Sequence, residues 1–189
     1  MKRNKFFRKV AIMVAGSLVL PALALADIKM GIILGFTGPI ESLTTDMAGS
    51  AELAFKEASD SGNLLSGEKI IPVRADSTCI DAAAATTAAE RLVTAEKVAG
   101  IMGADCSGVT IAVANNVVVP NGIPMVSPSA TSPALSTISD NGYFFRTAPS
   151  DARQGQLLAE ITLSRGIKSV AVAYVCLLYT SDAADDSGC

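Results

Sequence analysis

Residues 98–132 read VAGIMGADCSGVTIAVANNVVVPNGIPMVSPSATS. The apolar run Val98 to Met102 ends in the polar segment Gly103-Ala104-Asp105-Cys106-Ser107-Gly108, and a helical stretch follows from Gly108 to Val119, stopped by Pro120 and Gly122. A second apolar run, Pro124 to Val126, ends in Ser127-Pro128-Ser129-Ala130-Thr131-Ser132-Pro133. Strand, helix, strand in that order is the repeating unit of a parallel sheet, because parallel neighbours need a crossover connection. In open α/β sheets small molecules bind beyond the carboxyl ends of the strands. The two polar segments therefore read as two walls of one pocket. They offer hydroxyls, helix N-termini and free carbonyls, which suit holding a zwitterion better than breaking a bond.

Outward from this unit the alternation continues. Ile28 to Leu34, broken only by Lys29 and Gly31, reads as a buried parallel strand. Gly35 to Pro39 is a loop, after which Thr44 or Thr45 is expected to cap a helix burying Met47, Ala51, Ala54, Phe55 and Ala58 and ending before Gly62. Lys69 to Arg74 is the second strand, and Asp81 the cap of an alanine-rich helix from Ala82 to Lys97 with Leu92 and Val93 facing the sheet. Downstream, Tyr143 to Arg146 is a further short strand, and a helix from Asp151 to Arg165 leads to a strand from Ser169 to Tyr174. The fold class is α/β, an open parallel sheet with helices on both faces.

The ends of the chain have a different character. Lys2, Arg3, Lys5, Arg8 and Lys9 precede an apolar run from Val10 to Leu20, then Pro21 and Ala24-Leu25-Ala26, the pattern of an export signal cleaved after Ala26. The apolar run falls short of the roughly 20 residues of a membrane-spanning helix, and no cysteine follows the cleavage site to carry a lipid. A periplasmic location is expected. The segment Cys176 to Asp186 resembles the translation of a transposon-end sequencing adapter, and residues 176–189 are set aside as a non-native tail. The division expected is a signal peptide at 1–26, a ligand-binding lobe at 27–149, the start of a second lobe at 150–175 and the tail. Thr147 to Ser150 is the candidate hinge crossing.

Composition narrows the function. Between residues 27 and 175, ten Lys and Arg stand against fifteen Asp and Glu, a net charge of −5 with no basic cluster, which argues against nucleic acid as a partner. The chain has no histidine, so Ser-His and Cys-His catalytic pairs and His metal ligands are excluded. Gly31, Gly35 and Gly38 do not have dinucleotide-binding spacing, and no G-x-S-x-G elbow is present. No catalytic residue, metal or cofactor is expected.

Cys79 and Cys106 each follow a predicted strand and are a candidate disulfide in an oxidising compartment; a reactive or metal-binding pair is the competing reading, without C-x-x-C spacing to support it. Ser107 lies at the N-terminal edge of a helix, where it serves either as a plain N-cap or as a donor to an anion. Ser129, Ala130 and Thr131 sit in a turn held between Pro128 and Pro133, while Ser132 caps a short helix starting at Pro133. Asp105 lies near the pocket and reads either as a partner for a cationic group or, the commoner case, as an exposed loop carboxylate.

These segments, with Cys79 and the opening Ile32-Ile33-Leu34-Gly35-Phe36-Thr37-Gly38-Pro39, resemble the leucine/isoleucine/valine-type substrate-binding proteins of ABC transporters, type I periplasmic binding proteins, from Ile28 to Tyr174. The resemblance implies a disulfide between Cys79 and Cys106. It implies that Ser107 binds the α-carboxylate of a free amino acid or small analogue, and that the backbone at Ser129 and the hydroxyl and backbone of Thr131, with Ala130 between them, bind its ammonium and carboxylate groups. It further implies hinge closure and delivery to an ABC permease in the inner membrane, with a ligand-sensing receptor or regulatory domain of the same fold as the alternative. Ser129 stands where glycine or alanine is usual, and Leu43 where an aromatic is common.

Overall fold

The computed structural model describes residues 27–64 and 67–171. Five strands, β1 (Ile28–Leu34), β2 (Ile70–Asp76), β3 (Ile101–Gly103), β4 (Met125–Ser127) and β5 (Phe144–Arg146), form one sheet in the order β2-β1-β3-β4-β5. Every adjacent pair is parallel, with Ile28 opposite Ile70, Ile33 opposite Gly103 and Val126 opposite Phe145.

Alternation along β1 builds a core on each face, because successive side chains point to opposite sides. Ile32 and Leu34 are fully buried against α1 (Glu41–Asp60) with Ala48, Met47, Ala51, Phe55 and Met102. Ile33 points the other way, into the cluster of Ala85, Ala89 and Leu92 from α2 (Ala82–Thr94) and Val109 and Val113 from α3 (Ser107–Val113). Each fully buried Ile or Leu contributes about 1.5–3 kcal/mol. Both cores sit beneath the carboxyl ends of β1 and β3 and hold those ends rigid.

Helix boundaries depart from the sequence reading in instructive places. α1 starts at Glu41, ahead of the expected cap, with Ile40 in the N-cap position and no side-chain cap bond. Thr44 is buried inside the helix, its single hydroxyl proton shared between the carbonyls of Gly35 at 3.1 Å and Glu41 at 3.0 Å. It ties the helix to the loop after β1 instead of starting the helix. Ala54 faces solvent, and Thr44 and Ala48 take the buried positions.

Asp81 does cap α2, accepting from the amides of Ala83 and Ala84 at 2.9 Å. α2 stops at Thr94, and Lys97 has a positive φ of 58°. The third helical run passes from α3 through a π-helical turn, Ala114–Val118, into α4 (Val119–Asn121). Pro120 does not stop it. It lies directly after the π turn, which closes with Val119 N on the carbonyl of Ala114, and Gly122, left-handed at φ 64°, ends the run.

The last helix, α5 (Asp151–Ser164), is capped by Ser150, whose hydroxyl accepts from Ala152 N at 3.3 Å, and has no buried residue. Leu157, Leu158 and Leu163 are exposed. Ser169 to Ala171 carry no strand pairing, and the rest of the strand expected up to Tyr174 lies outside the described residues, as do the signal segment and the tail.

Candidate functional site

The loops after β1, β2, β3 and β4 all leave the same edge of the sheet, as parallel strands require. Cys79 and Cys106 are joined by a disulfide across a sequence separation of 27, fastening the loop after β2 to the start of α3. Cys106 occupies the N-cap position of α3 with extended backbone, and Ser107 is the first helical residue. Ser107 is thus not the N-cap serine of the plainer reading. Its hydroxyl oxygen instead accepts from the amide of Ser132 at 3.1 Å.

That bond is one of three joining the two polar segments. Ser127, fully buried, donates its hydroxyl to the carbonyl of Ala104 and accepts from the amide of Ala130 at 3.0 Å. Ser129 donates to the carbonyl of Asp105 at 3.0 Å. Ser132 accepts from Ala134 N at 3.3 Å and caps the 3-10 turn Pro133–Ser136, as its place before a proline suggests. Ser107, Ser129, Ala130 and Thr131 are therefore brought together, although they come from different crossovers.

A hydroxyl donates once, so the bonding pattern assigns roles. Ser129's proton is spent on the carbonyl of Asp105. Thr131's is spent on the carboxylate of Asp151 at 2.8 Å, while the amide of Asp151 donates back to the Thr131 carbonyl at 3.0 Å. Ser107 accepts, which leaves its O–H free. Among the described residues, the carbonyl of Ser129 and the N–H of Thr131 also take part in no hydrogen bond. The first-turn amides of α3 have no intrahelical acceptor. The rim thus presents donors at Ser107 and Thr131, and acceptors at the Ser129 carbonyl, the Thr131 oxygen and the Asp151 carboxylate.

Two contributors, Asp151 and Arg146, escaped sequence reasoning, and a third, Asp105, was misplaced by it. Asp151 was visible only as a first-turn acid of a helix. Arg146 ends β5, and its guanidinium donates to the carbonyls of Ala130 at 3.2 Å and Ser132 at 2.8 Å and to the hydroxyl of Ser136, bracing the turn from behind. A basic residue at a strand end carries no local signal of this. Asp105 is not an exposed loop residue but only 4% exposed, its carboxylate accepting from Gly35, Ser77 and Cys106. The expectation failed because three donors meet a carboxylate that sequence reading leaves to solvent.

The loop after β1 is held by Asp76, which accepts from the Thr37 hydroxyl at 2.6 Å and the amides of Thr37 at 3.3 Å and Thr78 at 2.8 Å. Burial pushes the Asp76 carboxyl up, but the Thr37 hydroxyl and the amides of Thr78, Thr37 and Phe36 together hold it below its ordinary value. Leu43, in the first turn of α1, is 62% exposed. An open depression of about 410 Å³ is lined by Gly38, Pro39, Glu41, Ser42 and Thr45, without any of the four ligand candidates.

Comparison with known proteins places this geometry in context. A profile described as "Periplasmic binding protein" matches residues 27–188. The chain is 33% identical over 175 residues to the Leu/Ile/Val-binding protein homolog 7 of Brucella melitensis, covering 88% of this chain and 42% of the relative. Among solved structures it resembles the branched-chain amino acid transporter substrate binding protein LivJ of Streptococcus pneumoniae in complex with isoleucine, with TM-score 0.64 and 28% identity over 72% of this chain and 38% of that one. It also resembles the leucine binding protein LivK of Thermotoga maritima, with TM-score 0.63 and 27% identity over 73% of this chain and 37% of that one. The chain spans less than half the length of these relatives. With a five-stranded parallel sheet in the order β2-β1-β3-β4-β5 and a family match across the whole described region, the chain belongs to the periplasmic binding protein family.

Proposed function

We propose that this chain supplies the first ligand-binding lobe of a periplasmic solute-binding protein that captures a free α-amino acid, of branched-chain type or a close analogue, for an ABC importer. No bond is made or broken in this reading. The observation that carries it is the set of uncommitted groups at the rim. The Ser107 hydroxyl, the Thr131 amide and the first-turn amides of α3 suit a carboxylate. The Ser129 carbonyl, the Thr131 oxygen and the Asp151 carboxylate suit an ammonium group. Ser129 and Ala130 act through their backbone, since the Ser129 hydroxyl is turned inward.

Relatives named as Leu/Ile/Val-binding proteins and a neighbour holding isoleucine support the ligand class. The basic, then apolar, then Ala24-Leu25-Ala26 pattern supports export with cleavage after Ala26. α5, with no buried residue, supports a second lobe beginning near Asp151, hinged at Thr147 to Ser150 and closing over the ligand. The closed form is what the permease recognises.

The test is calorimetric titration of the full-length protein with leucine, its deaminated acid and its decarboxylated amine. Leucine is expected to bind, with each analogue weaker by about tenfold or more, because a hydrogen bond to a charged group contributes about 1.5–3 kcal/mol. Ser107→Ala is expected to weaken leucine and the acid but not the amine. Equal binding of all three, or conversion of the bound amino acid, overturns the reading. Residues 27–175 alone are expected to bind weakly, since half a clamp cannot enclose a ligand.

A further inference from the structure

Asp105 carries a carboxylate in a wall where it is 4% exposed, and no Lys or Arg lies within ion-pair distance of it among the described residues. Its oxygens are satisfied by three donors: Gly35 N at 2.8 Å on Oδ2, and Cys106 N at 2.9 Å and the Ser77 hydroxyl at 3.3 Å on Oδ1. Its own carbonyl accepts from Ser129 at 3.0 Å. The loops after β1, β2, β3 and β4 are thereby tied to one residue. A Cβ at Gly35 would only touch Asp105 Oδ2, at 3.4 Å, but would crowd the Cys79 Cβ at 3.1 Å, so the glycine lets the loops after β1 and β2 come close.

A desolvated carboxylate without a cation is a costly way to fill space, and an apolar side chain of that size would pack as well. What the carboxylate does, and an apolar group does not, is fix directions. Oδ1 holds the amide of Cys106, the peptide that leads into Ser107, while Oδ2 holds the loop after β1. The carbonyl of the same residue holds the turn whose next residues are Ala130 and Thr131.

We propose that Asp105 is a positioning residue for amino-acid binding: it sets the separation between the anion donors at Ser107 and the ammonium acceptors at Ser129 and Thr131. The proposal rests on the zwitterion reading given under the proposed function. It does not require Asp105 to touch the ligand, from which its hydrogen bonds and burial withhold it.

Asp105→Asn in the full-length protein keeps the shape but offers a single oxygen, so the amides of Gly35 and Cys106 can no longer both be satisfied. The variant is expected to bind leucine about tenfold more weakly at a temperature well below its melting transition. Its Gly35 or Cys106 amide is expected to exchange with solvent faster than in the wild type. A residue serving stability alone would lower the melting temperature and leave the affinity unchanged, and that result overturns the proposal.

Should Asp105→Asn fail to fold, the wild-type protein supplies the second measurement. Leucine is expected to slow exchange at Gly35 and Cys106, and unchanged exchange overturns the proposal. Wild-type protein that binds no amino acid removes the functional reading and the proposal with it, whereas wild-type binding with an unaltered Asp105→Asn affinity removes the proposal alone.

Discussion

Thr131 and Asp151 hold each other twice: the threonine hydroxyl donates to the aspartate carboxylate at 2.8 Å, and the aspartate amide donates to the threonine carbonyl at 3.0 Å. One residue lies in the turn after β4 and the other in the first turn of α5, so the pair joins the candidate ligand rim to the segment that leaves the sheet. With its proton committed to Asp151, the Thr131 oxygen faces a ligand as an acceptor, beside a negative charge. Both properties favour an ammonium group over a carboxylate at that point.

Replacing Asp151 by Asn therefore separates charge from shape. Leucine affinity is expected to fall by about tenfold, the loss of one charge-assisted hydrogen bond, while the deaminated acid binds wild type and variant alike. Calorimetric titration of both ligands checks this, and an equal loss for both would assign Asp151 a purely structural role.

The disulfide between Cys79 and Cys106 closes a loop with a sequence separation of 27. Chain-entropy reasoning assigns a crosslink of that span about 3–4 kcal/mol. Paired Cys→Ser substitution is expected to lower the unfolding free energy by that amount, read as a lower urea midpoint, with a steeper slope because the unfolded chain is less compact. Because Cys106 adjoins Ser107, leucine binding by the still-folded variant is expected to weaken as well.

Asp76 contributes to the acid limb of stability. Its folded carboxyl is held below the ordinary value, burial being outweighed by the Thr37, Thr78 and Phe36 donors. Its contribution is full above the unfolded value of about 3.9 and disappears as pH falls through the lower folded value. Urea midpoints measured from about pH 2 to 6 are expected to fall on the acid side in the wild type, and Asp76→Asn is expected to flatten that fall. An unchanged profile would show that the donors around Asp76 do not favour its ionised form.

Gly103 ends β3 with φ at +129°, and a Cβ there would lie 1.9 Å from the carbonyl oxygen of Ile33. The obstacle is backbone, which cannot swing aside as a side chain can. Gly103→Ala is expected to cost about 3 kcal/mol or more by displacing β3 from β1, read as a fall in melting temperature. A variant as stable as the wild type would mean that the Ile33–Gly103 register is not required.

The order of elements was legible in the sequence because it rests on local physics. Apolar runs such as Ile28 to Leu34, the Asp81 cap, and glycine or proline at the ends of runs each act within a few residues. Boundaries shifted where a distant group intervened. Thr44 reads as a cap, yet the loop carbonyl of Gly35 draws its hydroxyl into the interior. Gly122 and Pro120 both read as stops, yet the run passes from a π turn through Pro120 and ends only at Gly122.

Ser107, Ser129, Ala130 and Thr131 were legible as candidates because each lies just beyond an apolar run, at the carboxyl edge that a parallel sheet must share; the ligand roles expected of them came from the family resemblance. Composition alone also removed histidine chemistry. The direction of each hydroxyl proton was decided only in three dimensions. Whether Ser129 points its hydroxyl outward or to Asp105, whether Asp105 is solvated or reached by Gly35 and Ser77, and whether Arg146 braces the turn at Ala130 and Ser132 all depend on groups 14 to 70 residues away in the chain. Hydrogen bonds are short-ranged and directional, so partners that remote are chosen by the packing of the sheet and its crossovers, and no local pattern encodes them.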